Sequence, residues 1–295
     1  MKNLVSVLMT SYNRENYIAE AIESVLSSSY NNFELLIVDD CSSDKTVQIV
    51  REYERKDSRI CLIVNDKNLG QFQNRNKAIA LSRGNFIKFL DSDDTIHRDG
   101  LEKMMQVLMD FPDAGMGVPS NLYDGGIPFE LKPHESIMNH YRGGHHLACG
   151  PTGTIFRKEA IEKIGGFEED FGILADTLLN IKVSCLYSVA FFSQNLHYWR
   201  IHTDQVTSEQ KDEIRMIKER YRITNYVLQL SYLPISDEEK AFIRNNFYKI
   251  NGRHFLKYFF NGRLKSAFLI KKNTELSLMK IIKAIYFNNL IKSRK

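Results

Sequence analysis

The sequence predicts a doubly wound, mostly parallel α/β sheet with a helical extension at its C-terminal end. Three observations lead there. Short apolar runs at 4–9, 33–38, 60–64 and 86–90 are rich in β-branched and aromatic residues and lack polar alternation, as strands covered on both faces do. Stretches with helical spacing of apolar residues alternate with these runs three times in the first ninety residues. From residue 208 onward the strand signals stop and helical spacing takes over.

The elements follow in order. Leu4-Val5-Ser6-Val7-Leu8-Met9 is broken by Thr10-Ser11-Tyr12-Asn13, and a helix is expected over 17–26. The second strand closes in Asp39-Asp40-Cys41-Ser42-Ser43-Asp44, with Ser43 or Asp44 as N-cap of a helix over 46–55. A third strand at 60–64 leads to a helix over 72–81. The fourth, Phe86-Ile87-Lys88-Phe89-Leu90, ends in Asp91-Ser92-Asp93-Asp94. A short helix is expected over 160–164, which Gly165-Gly166 should stop in a left-handed turn. Another helix opens near Asp176, and a strand is expected at 189–192. Helices at 212–229, 237–258, 264–271 and 278–291 complete the chain.

Composition narrows the function classes. With 43% hydrophobic and 26% charged residues, the 295-residue chain reads as an ordinary globular protein. Cys41, Cys61, Cys149 and Cys185 are widely spaced with no C-x-x-C pair, which argues against a disulfide framework or a zinc site and fits a reducing compartment. No signal peptide is expected at the N-terminus, and the longest uncharged stretch, 183–199, is too polar to span a membrane. The net charge of +4 hides an asymmetry. Residues 240–295 hold fourteen Lys and Arg against one acid, Glu275, a balance of +13 that leaves −9 on residues 1–239.

The polar clusters fall where such a sheet binds its ligand, at the carboxyl ends of the strands. Three carboxylates within four residues repel one another unless a cation neutralises them. On extended backbone Asp91 and Asp93 would share a side. That suits a hard divalent cation, which takes one or two carboxylates and fills its remaining positions with water and phosphate oxygens. A nucleotide is the expected ligand. No G-x-G-x-x-G follows the first strand, which disfavours a dinucleotide oxidoreductase, and no P-loop motif is present.

Val5-Ser6-Val7-Leu8-Met9-Thr10-Ser11-Tyr12-Asn13, Val38-Asp39-Asp40-Cys41-Ser42-Ser43-Asp44, Asn68-Leu69-Gly70 with Arg75-Asn76, and Leu90-Asp91-Ser92-Asp93-Asp94 resemble the successive signatures of the family 2 glycosyltransferases, in their order and spacing. The resemblance is strong over residues 3–120, weaker to 205 and absent beyond. It implies an inverting enzyme with the GT-A fold, a nucleotide-sugar donor and a divalent metal, Mn²⁺ or Mg²⁺. By the same resemblance Asp40 binds the uracil N3–H with Asp39 beside it, and Thr10 and Tyr12 line the base-and-ribose wall. Arg75 lies near the nucleotide, Asp91 with Ser92 contacts the ribose, Asp93 ligates the metal, and Asp94 supports the loop.

For the second half, the resemblance implies a Glu-Asp pair at the start of a helix, its Asp the catalytic base. Here the chain reads Ala175-Asp176, so Ala175 replaces the Glu. The alternative role for Asp176 is helix capping. Tyr198-Trp199-Arg200-Ile201-His202 resembles a late block whose His or Arg approaches the metal or pyrophosphate, and His202 is the candidate for both. The adjacent His145 and His146 point apart on extended backbone and are read as an acceptor-side loop rather than a metal pair. Glu168-Glu169-Asp170 is read as a solvated turn.

The basic C-terminal helices admit two readings. One is a cap on the catalytic domain. The other, favoured by the +13 balance and by Tyr258, Phe259, Phe260 and Phe287, is a peripheral segment on anionic lipid. No nucleic-acid recognition motif accompanies them. The domains expected are a nucleotide-sugar-binding half, 1–95, an acceptor half, 96–207, and the basic helical extension, 208–295. The function expected is transfer of a sugar from a UDP-linked donor to a glycan hydroxyl, with a lipid-linked acceptor at the inner face of the cell membrane. The alternatives are a non-catalytic nucleotide-sugar-binding subunit and a sugar-phosphate nucleotidyltransferase. The latter needs a glycine-rich loop after the first strand, which Thr10-Ser11-Tyr12-Asn13-Arg14 does not supply.

Overall fold

The apolar runs lie side by side. A computed structural model describes residues 3–120, 127–192, 196–201 and 213–282. The chain begins β1 (Val5–Ser11), α1 (Ile18–Leu26), β2 (Phe33–Asp39), α2 (Thr46–Glu54), β3 (Ile60–Val64), α3 (Gln71–Leu81) and β4 (Phe86–Phe89). These four strands are parallel, β1 pairing with β2 and β4, and β2 with β3. All seven residues of β2 are buried, which is why its sequence carries no polar alternation. The expected N-cap of α2 is displaced: Lys45 holds that position, and Asp44 accepts the Thr46 N–H at 2.9 Å from one residue further out.

The chain continues with β5 (Thr95–Ile96), α4 (Gly100–Asp110), β6 (Ala114–Pro119), β7 (Phe129–Leu131), α5 (Pro133–Asn139), β8 (Ile155–Arg157), α6 (Lys158–Ile164), α7 (Ala175–Leu186), β9 (Ser188–Phe192) and β10 (His197–Tyr198). The main sheet has the order β3-β2-β1-β4-β8-β6-β9-β7, and β5 pairs with β10 in a separate two-stranded ribbon. β8 runs antiparallel to both its neighbours, β4 and β6. This inserted strand brings the segment before it, residues 150–154, back to the carboxyl end of β4. α6 ends as expected, with Gly165 left-handed at φ +82°.

The chain divides into two compact units, Met1–His202 and Thr203–Lys295. The second contains α8 (Glu213–Val227), α9 (Asp237–Phe260) and α10 (Leu264–Asn273). Ile217, Phe255, Tyr258, Ala267, Ile270, Leu276 and Ile281 form its core. α9 opens with a reciprocal capping box between Ser236 and Glu239. Of the helix expected over 278–291, residues beyond 282 lie outside the described residues, Phe287 among them.

One polar cluster inside the first sheet half explains a glycine. Buried Ser6 donates to Glu34, which also accepts from the Arg83 N–H and guanidinium, and Gly84 N–H donates to Ser6 Oγ at 2.8 Å. A Cβ on Gly84 would stand 2.6 Å from Ser6 N and 2.7 Å from Leu4 O, both backbone atoms that cannot swing away. Gly84→Ala should therefore lower the unfolding free energy by about 1–3 kcal/mol. Urea denaturation followed by circular dichroism measures this, and an unchanged midpoint would refute the close approach.

Candidate active site

The ends of β1 and β2 form one wall of the site, with Ser11 in register with Asp39. The two adjacent aspartates have different partners. Asp39 is fully buried and accepts from Ser11 Oγ at 2.8 Å, Ser42 N at 2.8 Å and Ser42 Oγ at 2.6 Å. It knots the turn after β2. Asp40 accepts from Asn65 Nδ2 at 2.8 Å, Leu69 N at 2.8 Å and Gly70 N at 2.9 Å. A carboxylate has about four acceptor sites, so these three bonds leave one, on the oxygen that takes Gly70. Gly70 adopts φ +87° to present its N–H and opens α3 directly afterwards. Thr10 is half-buried at the end of β1, and Tyr12 is exposed just beyond it.

The carboxylate cluster after β4 is a turn. The expectation that Asp91 and Asp93 share a side on extended backbone fails, because β4 stops at Phe89 and the Asp94 N–H closes onto Asp91 O at 3.0 Å. The two acids turn to different cations: Asp91 to Arg75 at 2.7 Å, Asp93 to Arg14 at 3.3 Å. Ser92 is buried within the turn. Asp94 is buried and accepts from Arg200 N at 3.1 Å; burial pushes its carboxyl up to about 7. Arg200 also donates to Asp93 O at 3.0 Å and pairs with Glu20.

Behind this turn stands Thr152, from the segment that β8 returns. Its hydroxyl accepts the Asp91 N–H at 3.2 Å and hydrogen-bonds the Asp94 carboxylate. Its carbonyl, with that of Thr154, accepts from Lys88 Nζ. Lys88 is fully buried in β4, and burial pushes its ammonium down to about 7. Sequence reasoning passed over Lys88, Thr152 and Arg14. A lysine in the middle of an apolar strand is the signal that Lys88 offered.

Asp176 meets the same centre from the other half. It occupies the first turn of α7, whose N-cap, Leu174, makes no side-chain capping bond. The carboxylate accepts from Arg75 Nη1 at 2.8 Å instead. Burial pushes its carboxyl up to about 6, against the lowering pull of Arg75 and with a further rise from Asp91. Arg75 is 1% exposed, its guanidinium 5.9 Å from the Phe72 ring centroid and 5.5 Å from that of Phe167. Its neighbour Asn76 holds Phe167 by both backbone groups, at 2.8 and 2.9 Å. Of the nearby acids, Glu168 pairs with Lys182 at 2.5 Å and Glu169 with Gln73 at 2.9 Å.

Thus Asp91, Arg75 and Asp176 converge, and Asp93 lies in the same turn as Asp91. His202 lies outside the described residues. His146 is buried against Ser136 Oγ at 3.0 Å, and burial pushes its imidazole down to about 4. Among the described residues no three His, Cys, Asp or Glu side chains are grouped to hold a metal by themselves. A hard divalent cation takes as few as one or two carboxylates and fills its remaining positions with water and phosphate oxygens, so Asp93 alone would suffice as the protein's donor.

The architecture is that of the GT-A glycosyltransferases. S. aureus TarS 1–349 in complex with UDP-GlcNAc matches with a TM-score of 0.64 at 19% identity, over 92% of this chain and 90% of that one. The mannosyltransferase PcManGT from Pyrobaculum calidifontis, in complex with GDP-Man and Mn²⁺, matches at 0.63 and 17% identity, over 97% and 79%. At these identities the likeness is one of fold. The family itself is set by sequence: glycosyl transferase family 2 matches residues 6–165, and the chain belongs to it. The UDP-Glc:alpha-D-GlcNAc-diphosphoundecaprenol beta-1,3-glucosyltransferase WfgD of Escherichia coli is 44% identical over 106 residues, 36% of this chain and 41% of that enzyme. Three further glycosyltransferase relatives are aligned over 42–57% of their lengths.

Proposed function

We propose that this chain is an inverting, metal-dependent glycosyltransferase that takes a sugar from a UDP-linked donor and passes it to a hydroxyl of a lipid-linked glycan in surface polysaccharide assembly. The observation that carries this reading is the convergence of Asp176 and the Asp91–Asp94 turn on one guanidinium, although Arg75 and Asp176 are 101 positions apart. A base and a diphosphate-binding turn must be this close for a single displacement. The names of WfgD and the TarS complex, which specify UDP-Glc and UDP-GlcNAc, favour uridine, whereas PcManGT carries GDP-Man.

In this mechanism the remaining acceptor site on Asp40 takes the N3–H of the base, and Thr10 and Tyr12 flank the nucleoside. Asp91 contacts the ribose, and Asp93 holds the cation. The cation, when bound, offsets charge developing on the leaving diphosphate. Asp176 removes the acceptor proton as the acceptor oxygen bonds to the anomeric carbon and the bond to the diphosphate oxygen breaks. Its carboxyl, near 6, is ionised at neutral pH yet basic enough to take that proton. Ala175 leaves the single carboxylate to do this alone, and so also admits a binding subunit without turnover.

Asp176→Asn separates the two readings. Transfer should fall by at least about 10², with affinity for UDP and Mn²⁺ within a few-fold, since a base acts in the transition state. Near-normal transfer would move the base elsewhere. For the donor site, calorimetry with UDP and GDP, in Mn²⁺ and in chelator, should rank UDP with Mn²⁺ first. Asp93→Asn should weaken that binding more than tenfold, and equal affinity in chelator would refute the metal.

The C-terminal unit carries the membrane part of the proposal. Phe260, Leu264 and Phe268 are 78%, 49% and 53% exposed, and Arg263, Lys265 and Lys272 are exposed on the same stretch. No helix among the described residues is long and apolar enough to cross a membrane. Aromatic groups beside lysines suit the boundary of an anionic bilayer at the cytoplasmic face, where the four free cysteines would stay reduced. The protein should sediment with phosphatidylglycerol vesicles and not with phosphatidylcholine, and Phe260→Ser with Phe268→Ser should abolish this. Equal recovery with both lipids would refute it.

A further inference from the structure

Between the carboxylates of Asp91 and Asp176 lies a group to which the transfer reaction assigns no step. Arg75 touches neither the reacting hydroxyl nor the diphosphate oxygens in the mechanism above, yet it is 1% exposed. One nitrogen of its guanidinium reaches Asp176 at 2.8 Å and another reaches Asp91 at 2.7 Å. The rings of Phe72 and Phe167 lie 5.9 and 5.5 Å away. Phe167 is itself fixed to α3 by Asn76, and Gly166 leaves room for that clamp: a Cβ there would stand 2.5 Å from Asn76 Oδ1. The guanidinium has no freedom to leave its two carboxylates.

We propose that Arg75 is the positioning residue of the transfer reaction, holding the Asp176 carboxylate in its attacking orientation and removing its repulsion from Asp91. This rests on the reading of Asp176 as the base. One oxygen of Asp176 is held and the other is left to face the acceptor, so the guanidinium decides which lone pair is presented. The planar fork presents its two nitrogens to the two carboxylates in one fixed geometry, which a rotatable ammonium does not. Because Arg75 also grips Asp91, the base is aimed with reference to the turn that holds the donor. Base and leaving group thus share one anchor.

Among the described residues, the charged and titratable groups facing Asp176 are Arg75 from α3, Asp91 from the turn after β4, and Cys149 from the segment before β8, its thiol pushed up to about 12 by burial. Of these three, Arg75 alone favours the ionised base. A base works when ionised, so the rate falls as pH drops through its pKa, and losing a cation that favours ionisation moves that limb to higher pH.

The experiment is the pH profile of kcat for Arg75→Met and Arg75→Lys, beside Asp176→Asn. In Arg75→Met the acid limb should move up by about one to three pH units, with activity at neutral pH reduced about tenfold or more and partly regained at higher pH. Arg75→Lys keeps the charge and loses the fork: its limb should stay in place while kcat falls at every pH. A folded Arg75→Met with an unmoved limb overturns the role of Arg75 while an inactive Asp176→Asn leaves the base standing. An active Asp176→Asn overturns the base and this inference together. Should Arg75→Met not fold, Arg75→Lys decides: full kcat overturns the proposal, and reduced kcat with an unmoved limb supports it.

Discussion

The site depends on a single buried cation held between two acids. A guanidinium taken out of water is costly unless its donors are matched, and Arg75 finds that match only where α3, the turn after β4 and the first turn of α7 come together. Each of those elements carries one member of the triad, so none can shift alone without leaving a charge unpaired in a poorly solvated place. The triad itself has one positive and two negative members. It is therefore satisfied internally and still attractive to a second cation.

α3 links this centre to the nucleotide wall. Asp40 receives the backbone N–H groups of Leu69 and Gly70 just before and at the start of that helix, where aligned peptide dipoles favour an anion. Arg75 follows a little over one turn later. The carboxylate proposed to meet the base and the guanidinium that meets Asp176 thus belong to one rigid rod. The paired aspartates differ in their partners: Asp39 accepts from Ser11 and Ser42 at the ends of β1 and β2, and Asp40 from Asn65 and the start of α3.

Much of this was legible in the residues. Apolar runs without alternation gave the strands, because strands buried on both faces have no solvent side to mark with polar residues. Acids at the ends of those runs pointed to the candidate site described above. The partners of the acids were not legible. Arg75 reaches Asp176 across 101 positions and Thr152 reaches Asp91 across 61, and no local pattern encodes such distances. The turn at Asp91–Asp94 was misjudged as extended because β4 is one residue shorter than its apolar run, Leu90 lying beyond it although buried. The local pattern at Asp176 suits a base or a helix cap alike in position, and its contact with Arg75, which no capping bond accompanies, is a feature of the fold alone.

The place of β8 in the sheet has a consequence for synthesis on the ribosome. β1 to β4 can assemble as soon as Phe89 has left the exit tunnel, but the outer edge of β4 pairs with residues 155–157 and, among the described residues, with nothing earlier. Throughout the intervening translation the nascent sheet presents an unpaired, apolar edge, the kind that recruits foreign strands. Lys88 sits in the middle of that edge. In the finished protein the carbonyls of Thr152 and Thr154 take its ammonium; before they arrive, a charge on such an edge is the kind of residue that keeps foreign strands from pairing with it.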